Sequence, residues 1–254
     1  MSRKRAFTLI ETLVSVALGG MILVITGATL LNVTRIFRNT SGRDTALRDL
    51  AKARQALQKD LPQAAFAHGG NPHLQIVPTP ASLGGGADGD AVHFLSAVNG
   101  TTVESLNDGS GSPYFFENVI YYLSVPTNHD TLYGQSCTGG NESGYDYNCP
   151  HKCLIRVRVD ENPLFDHNSA SQDLLVTPLL PQVTRPTGFP KAPDRYVVAV
   201  NLLTFRVTQN LGELVVDLRA VSLPDAKKKV AVGQTSLSQS PFTLQHTFSI
   251  FPRN

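Results

Sequence analysis

The groups in this 254-residue chain able to do chemistry are three cysteines, seven histidines and twenty carboxylates. Cys137, Cys149 and Cys153 lie close together in sequence. In an oxidising compartment such a trio makes one disulfide and leaves one thiol over. Cys137–Cys149 and Cys137–Cys153 both close modest loops, worth about 2–3 kcal/mol if unstrained. His151 stands between the last two, so Cys137, Cys149, His151 and Cys153 also have the donor types for zinc, without the spacing of a standard knuckle. A disulfide is the first expectation; zinc and free thiols are the alternatives. The run Gly84–Asp90 is glycine-rich but lacks the Lys-Ser/Thr of a phosphate-binding loop, so it reads as a turn. Asp88 and Asp90 alone fall short of a calcium site. The histidines, at 68, 73, 93, 129, 151, 167 and 246, form no His-Glu-x-x-His or His-x-His pair, and there is no Gly-x-Ser-x-Gly elbow. No catalytic constellation stands out, so the expectation is a non-enzyme with no metal site and no cofactor.

One carboxylate stands apart from the others. Glu11 is the only charge between Ala6 and Leu31, where 17 of 26 residues are apolar. From Thr12 to Thr34 there are 23 uncharged residues, enough for a helix to cross a bilayer core. Arg3, Lys4 and Arg5 precede this segment and place the extreme N-terminus in the cytoplasm. Arg35, Arg38 and Arg43 follow it and weigh the other way. A secretory signal peptide has a shorter apolar core and a small-residue cleavage site beyond it. A plain signal anchor fits the length but leaves Glu11 unexplained, because a carboxylate within an apolar span costs about 2–3 kcal/mol. Glu11 therefore lies at the hydrated membrane edge, or it has a partner.

The string Lys4-Arg5-Ala6-Phe7-Thr8-Leu9-Ile10-Glu11-Thr12-Leu13-Val14-Ser15-Val16-Ala17-Leu18 resembles the N-terminal signature of type IV pilins and type II secretion pseudopilins. The resemblance covers about a tenth of the chain. It implies that a prepilin peptidase cuts the basic leader (Arg3, Lys4, Arg5) between Ala6 and Phe7, and that the new N-terminal Phe7 is N-methylated. It also makes Glu11 the assembly glutamate, an anion that pairs with the free amine of a neighbouring subunit's Phe7. Ala6 stands where the family has glycine, and the family's helix-kinking proline is missing. The implied partners are other pilins or pseudopilins, the peptidase and the inner-membrane assembly machinery. The implied location is the inner membrane, single-pass with the C-terminal part extracytoplasmic, and then a pilus or pseudopilus. A signal-anchored extracytoplasmic module that binds a ligand or DNA is the alternative.

The elements that position these residues follow from periodicity. After the 7–34 assembly helix, residues 35–62 turn amphipathic. Leu47, Leu50, Leu57 and Leu61 fall on one face, and Arg43, Asp44, Arg48, Asp49, Lys52, Arg54, Lys59 and Asp60 on the other. Gly42 reads as a bend or break, and Pro62 as the end. The seven basic residues in this stretch have no interleaved aromatics beyond Phe37, so nucleic acid is not an expected partner. Residues 63–254 read as β-rich. Candidate strands are 74–77, 91–98, 118–125, 153–160, 195–201, 203–209, 213–222 and 246–251, with Asn210-Leu211-Gly212 as a hairpin connection. The fold class is thus α+β: a long N-terminal helix packed on an antiparallel sheet. The segments Gln58–Ala64, Gly89–Phe94 and His246–Asn254 look like the larger minor pilins and the J-type minor pseudopilins. The formal charge of +2 becomes −1 without the three leader cations.

Overall fold

The computed structural model describes residues 8–64, 67–68, 71–72, 74–79, 89–97, 111, 117–126, 131, 149, 151–160, 194–222 and 243–252. The basic leader, Ala6, Phe7, Cys137, the glycines at 84–86 and Asp88 lie outside the described residues.

A single helix, α1 (Leu9–Asp60), spans 52 residues, about 78 Å at the usual rise. The expected break at Gly42 does not occur. One glycine costs a helix only about 1 kcal/mol relative to alanine, and the backbone on either side is committed: Ala46, four residues on, begins the packed stripe. A 3-10 turn, Leu61–Gln63, carries Pro62 and ends the helical path. Ala64 then bridges Ser96 in the sheet.

The strands are β1 (Ala67–His68), β2 (Asn71–Pro72), β3 (Leu74–Val77), β4 (Ala91–Ser96), β5 (Glu117–Ser124), β6 (Lys152–Asp160), β7 (Asp194–Asn210), β8 (Glu213–Val221) and β9 (Thr243–Ile250). The first two form a small antiparallel pair that periodicity is too short to reveal. The other seven form one antiparallel sheet whose spatial order is the sequence order, β3 to β9. The α+β arrangement of a long apolar helix followed by an antiparallel sheet is as expected. The pair of strands expected at 195–201 and 203–209 is one strand with a register shift between Leu202 and Thr204. The bulge lies beside Asn201, whose φ of 57° an asparagine tolerates better than most residues. The β7–β8 turn has φ of 43° at Leu211 and 90° at Gly212, positive at both central positions as a tight two-residue hairpin demands.

Beyond the bulge the sheet curls. Val207 N donates to Gly89 O at 2.8 Å, so the chain entering β4 meets the far part of β7. Gly89 has φ of 81°, and a Cβ there would collide with the Val207 carbonyl. Only glycine suits this approach.

The main core joins one helix stripe (Ala46, Leu50, Ala53, Leu57, with Leu61 beyond) to Phe94, Val119, Tyr121, Leu154, Leu202, Phe205, Val216 and Leu218 of the sheet. β4 and β5 are buried along their whole length, whereas β8 alternates. The helix stripe differs from expectation at three places. Leu47 is half-exposed, while Asp49 and Asp60, expected on the solvated face, are buried. Each buried carboxylate has found a partner on the sheet. Asp49 Oδ2 accepts from Asn201 Nδ2 at 3.3 Å. Asp60 Oδ2 lies 2.5 Å from Arg156 Nη2 and accepts from Tyr121 Oη at 2.7 Å. Tyr121, Arg156 and Tyr196 are direct cross-strand neighbours on β5, β6 and β7. Arg156 Nη1 donates to Tyr196 Oη at 2.5 Å, and the guanidinium lies 5.2 Å from the Tyr196 ring centroid and 6.0 Å from that of Tyr121. Burial, followed by the charge of Asp60, pushes the Tyr121 hydroxyl well above its ordinary range.

Two outcomes test this account. Arg156→Met leaves Asp60 buried without its cation and should cost about 3–5 kcal/mol, read as a lower urea midpoint. Asp49 behaves differently: desolvation raises its carboxyl above the ordinary value, against the lowering pull of Asn201 and Lys52. The folded state then holds that proton more tightly than the unfolded chain, so the ionised group costs stability near neutrality and the cost disappears as pH falls. Asp49→Asn keeps an acceptor for Asn201. It should be more stable than wild type near neutral pH and lose that advantage by roughly pH 4, measured by denaturation at the two pH values.

Candidate functional site

The first part of α1 touches nothing else in the described chain. All residues from Thr8 to Ser41 are exposed, and the first buried helix residue is Ala46. This bare helix is about 50 Å long. It presents Leu9, Ile10, Val16, Leu23, Leu31, Phe37 and others to the outside, with Leu9 81% and Phe37 73% exposed. By length and composition it can cross a membrane.

Its polar groups are arranged so that little of the backbone or the hydroxyl complement faces outward unpaired. Thr8 is the N-cap, with extended backbone. Its Oγ1 accepts from Glu11 N at 3.3 Å, while Glu11 Oε2 accepts from Thr8 N and Thr8 Oγ1, each at 3.0 Å. This is a capping box, the reciprocal satisfaction of two helix-end donors. Its signal, Thr-x-x-Glu ahead of an apolar run, is present in the sequence as Thr8 and Glu11, and it gives Glu11 a local partner besides the membrane edge or a neighbouring subunit. Further along, Thr12 donates to Leu9 O at 2.8 Å, Ser15 to Glu11 O at 2.7 Å, and Thr26, Thr29 and Thr34 to Ile22, Ile25 and Leu30 O, each at 2.8 Å. Hydroxyls folded back onto the preceding turn are compatible with an apolar solvent. Glu11 is left as the only charged side chain of the segment, at its end, next to the positive pole of the helix dipole.

Of the other expected site residues only Cys149 and Cys153 are among the described residues, and neither lies at Glu11. Cys149 is disulfide-bonded and therefore has no thiolate to offer a metal. Cys153 is a free, buried thiol at the start of β6, pushed up to about 12 by burial and then by the charge of Asp49. Such a thiol is protonated and unreactive near neutrality. Cys137, needed for either expected bridge, lies outside the described residues, as do Arg3, Lys4, Arg5, Ala6 and Phe7. His151 is fully buried at the turn into β6. Among the described residues no three His, Cys, Asp or Glu side chains are grouped to hold a metal ion.

Thr8→Ala removes the cap and should cost about 1 kcal/mol at the first turn. The expected sign is faster amide exchange at Glu11 and Thr12 in detergent micelles, with the exchange of the β-sheet unchanged.

Residues 1–27 match the family described as the prokaryotic N-terminal methylation motif. The match supports the type IV pilin and pseudopilin class, and together with a single apolar N-terminal helix it fits a protein anchored in the inner membrane. No curated protein and no solved structure matches the chain.

Proposed function

We propose that the chain is a structural subunit, a minor type IV pilin or pseudopilin, that assembles through α1 into a pilus or secretion pseudopilus. The observation that carries this reading is the bare apolar helix with one carboxylate at its amino end, on residues that match the N-terminal methylation motif. A helix surface of this kind is stable only in lipid or against other helices like itself, and the two environments correspond to a subunit before and after assembly.

In this reading a prepilin peptidase cuts between Ala6 and Phe7 and Phe7 becomes the methylated terminus. The β-sheet part stands outside the inner membrane, where a disulfide such as that of Cys149 persists. Glu11 then exchanges its intrahelical bonds to Thr8 for the terminal amine of a neighbour's Phe7. Inside a bundle of apolar helices, two opposite charges can be accommodated only as a pair, so the pairing also fixes the axial step between subunits. The chain has no catalytic part in this scheme. Its partners are the peptidase, the other pilins or pseudopilins and the assembly machinery of the membrane.

Mass spectrometry of the mature protein tests the processing: the expected N-terminus is methylated Phe7, and any other terminus removes the main support for the reading. A second experiment addresses Glu11. Glu11→Gln retains a side-chain acceptor for Thr8 N but has no charge, so the cap and membrane insertion should survive. Incorporation into filaments or co-purification with other pilins should fall roughly tenfold or more, about 1.4 kcal/mol per tenfold. Unchanged incorporation would overturn the pairing of Glu11 with Phe7, whereas a wild-type chain that neither enters filaments nor co-purifies with other pilins would favour an anchored extracytoplasmic binding module.

A further inference from the structure

Just past Thr34 the surface of α1 changes from apolar to basic. Arg35, Arg38 and Arg43 are all exposed. Among the described residues none of them forms an ion pair, whereas Arg48, a turn further on, is held by Asp44 at 2.6 Å. Nor do they pack on the sheet, since the buried stripe of the helix begins only at Ala46. Arg35 and Arg38 are three residues apart and so share a helix face. Three uncompensated guanidinium groups at the edge of an apolar segment call for an anionic partner.

Helix length says where that partner is. From Glu11 to Arg35 is a rise of about 36 Å, slightly more than the hydrocarbon thickness of about 30 Å. A spanning helix with modest tilt therefore puts Glu11 in one headgroup layer and Arg35 and Arg38 in the other. At that level the abundant anion is lipid phosphate. The planar guanidinium matches phosphate with paired donors, and its aliphatic stem can lie along the apolar surface while the head reaches the phosphate. A second copy is a poorer source of anions along this segment: its exposed helix offers Asp44, already engaged by Arg48, and Glu11 at the opposite end.

We propose that Arg35 and Arg38, with Arg43 above them, form a phospholipid-headgroup clamp on the leaflet next to the β-sheet part, and that this clamp sets the depth of the helix. The inference rests on the membrane-spanning reading given above. It adds a consequence: once residues 1–6 are gone, the basic side chains next to the span all lie on this one side, and the Phe7 amine is the one cation left at the other. The cations that orient the precursor are then replaced by cations that hold the mature subunit, and leaving the membrane for a filament means giving up these phosphate contacts.

The test uses the full chain, labelled with carbon-13 in its guanidinium groups, in vesicles of phosphatidylcholine and phosphatidylglycerol in phosphate-free buffer. Phosphorus-31 dephasing of the guanidinium signals is compared between wild type and Arg35→Gln/Arg38→Gln. A spin label at Thr40→Cys reports depth in both backgrounds. Thermal melting of the sheet, which neither arginine touches, should be the same for both. The proposal expects a dephased component present in wild type and lost in the double variant, with the label moving inward by up to about one helical turn, ~5 Å. An inserted protein with identical dephasing in both forms overturns the clamp and leaves the spanning reading intact; contact with a second copy in place of lipid gives this result. Failure to insert at all overturns the spanning reading, and the clamp with it.

Discussion

Asp60 of the helix and Arg156 of the sheet occupy a place where neither charge could stay alone. Both are almost fully buried. Removing either ion from water costs several kcal/mol, and further bonds on both partners offset that cost, although Arg156 Nε has no hydrogen-bond partner among the described residues. Tyr121 donates to the carboxylate, Tyr196 accepts from the guanidinium, and the two rings flank it. This cluster lies at the last residue of α1, so it fixes where along the sheet the helix ends and which side of the helix faces inward. Two further polar contacts along the same packed part, Asp49 with Asn201 and Arg54 with His246 at 2.9 Å, leave the helix little freedom to slide or roll. Apolar packing of Ala46, Leu50, Ala53 and Leu57 supplies adhesion. The polar contacts supply register, because a shift of one residue would strand a buried charge.

Fixing the second half of the helix so firmly makes the first half a projection. A 52-residue helix with no break cannot fold back on the sheet that holds its end. At Gly19, Gly20 and Gly27 a Cβ would meet nothing within 4 Å, so no packing in the described chain requires glycine there. Beyond Glu11 the projection carries apolar groups, self-satisfied hydroxyls and one amide, Asn32, as far as Thr34, and exposed arginines from Arg35. Those two surfaces want two solvents, and the change between them comes within one residue.

How much of this was legible in the sequence follows from the range of each interaction. The apolar run, the strand alternation around Leu203 and Leu214 and the hairpin at Leu211-Gly212 are local patterns, and they appear in the structure close to where periodicity put them. The join of two expected strands into β7 was not legible, because Asn201 looks like a turn residue until its side chain is seen reaching Asp49. The Asp60–Arg156 cluster was hidden for a similar reason. Asp60 reads locally as one more charge on a solvated helix face, and nothing within a turn of it points to an arginine in a strand 96 residues away. Buried ion pairs are made by topology, and a pattern with a period of two or 3.6 residues carries no information about them. Glu11 is the converse case. Its apolar surroundings announced it, yet its nearest partner, Thr8, was only three residues away.

That local partner bears on how the proposed assembly glutamate can be tolerated before assembly. In the isolated helix the Glu11 carboxylate already accepts two hydrogen bonds from Thr8 and sits at the positive end of the helix dipole. The charge is therefore supported at the helix end with no second molecule present. In the proposed filament the same carboxylate meets a neighbour's ammonium, a stronger partner in a drier place. Both Thr8 donors meet the same carboxylate oxygen, Oε2, so Oε1 is the oxygen open to such a partner. A cap that is adequate in the headgroup layer and can be surpassed in the bundle biases the subunit toward assembly while leaving it soluble in the membrane beforehand. An uncapped glutamate would lack that waiting state, and a cation built into the same helix would lack any reason to leave it.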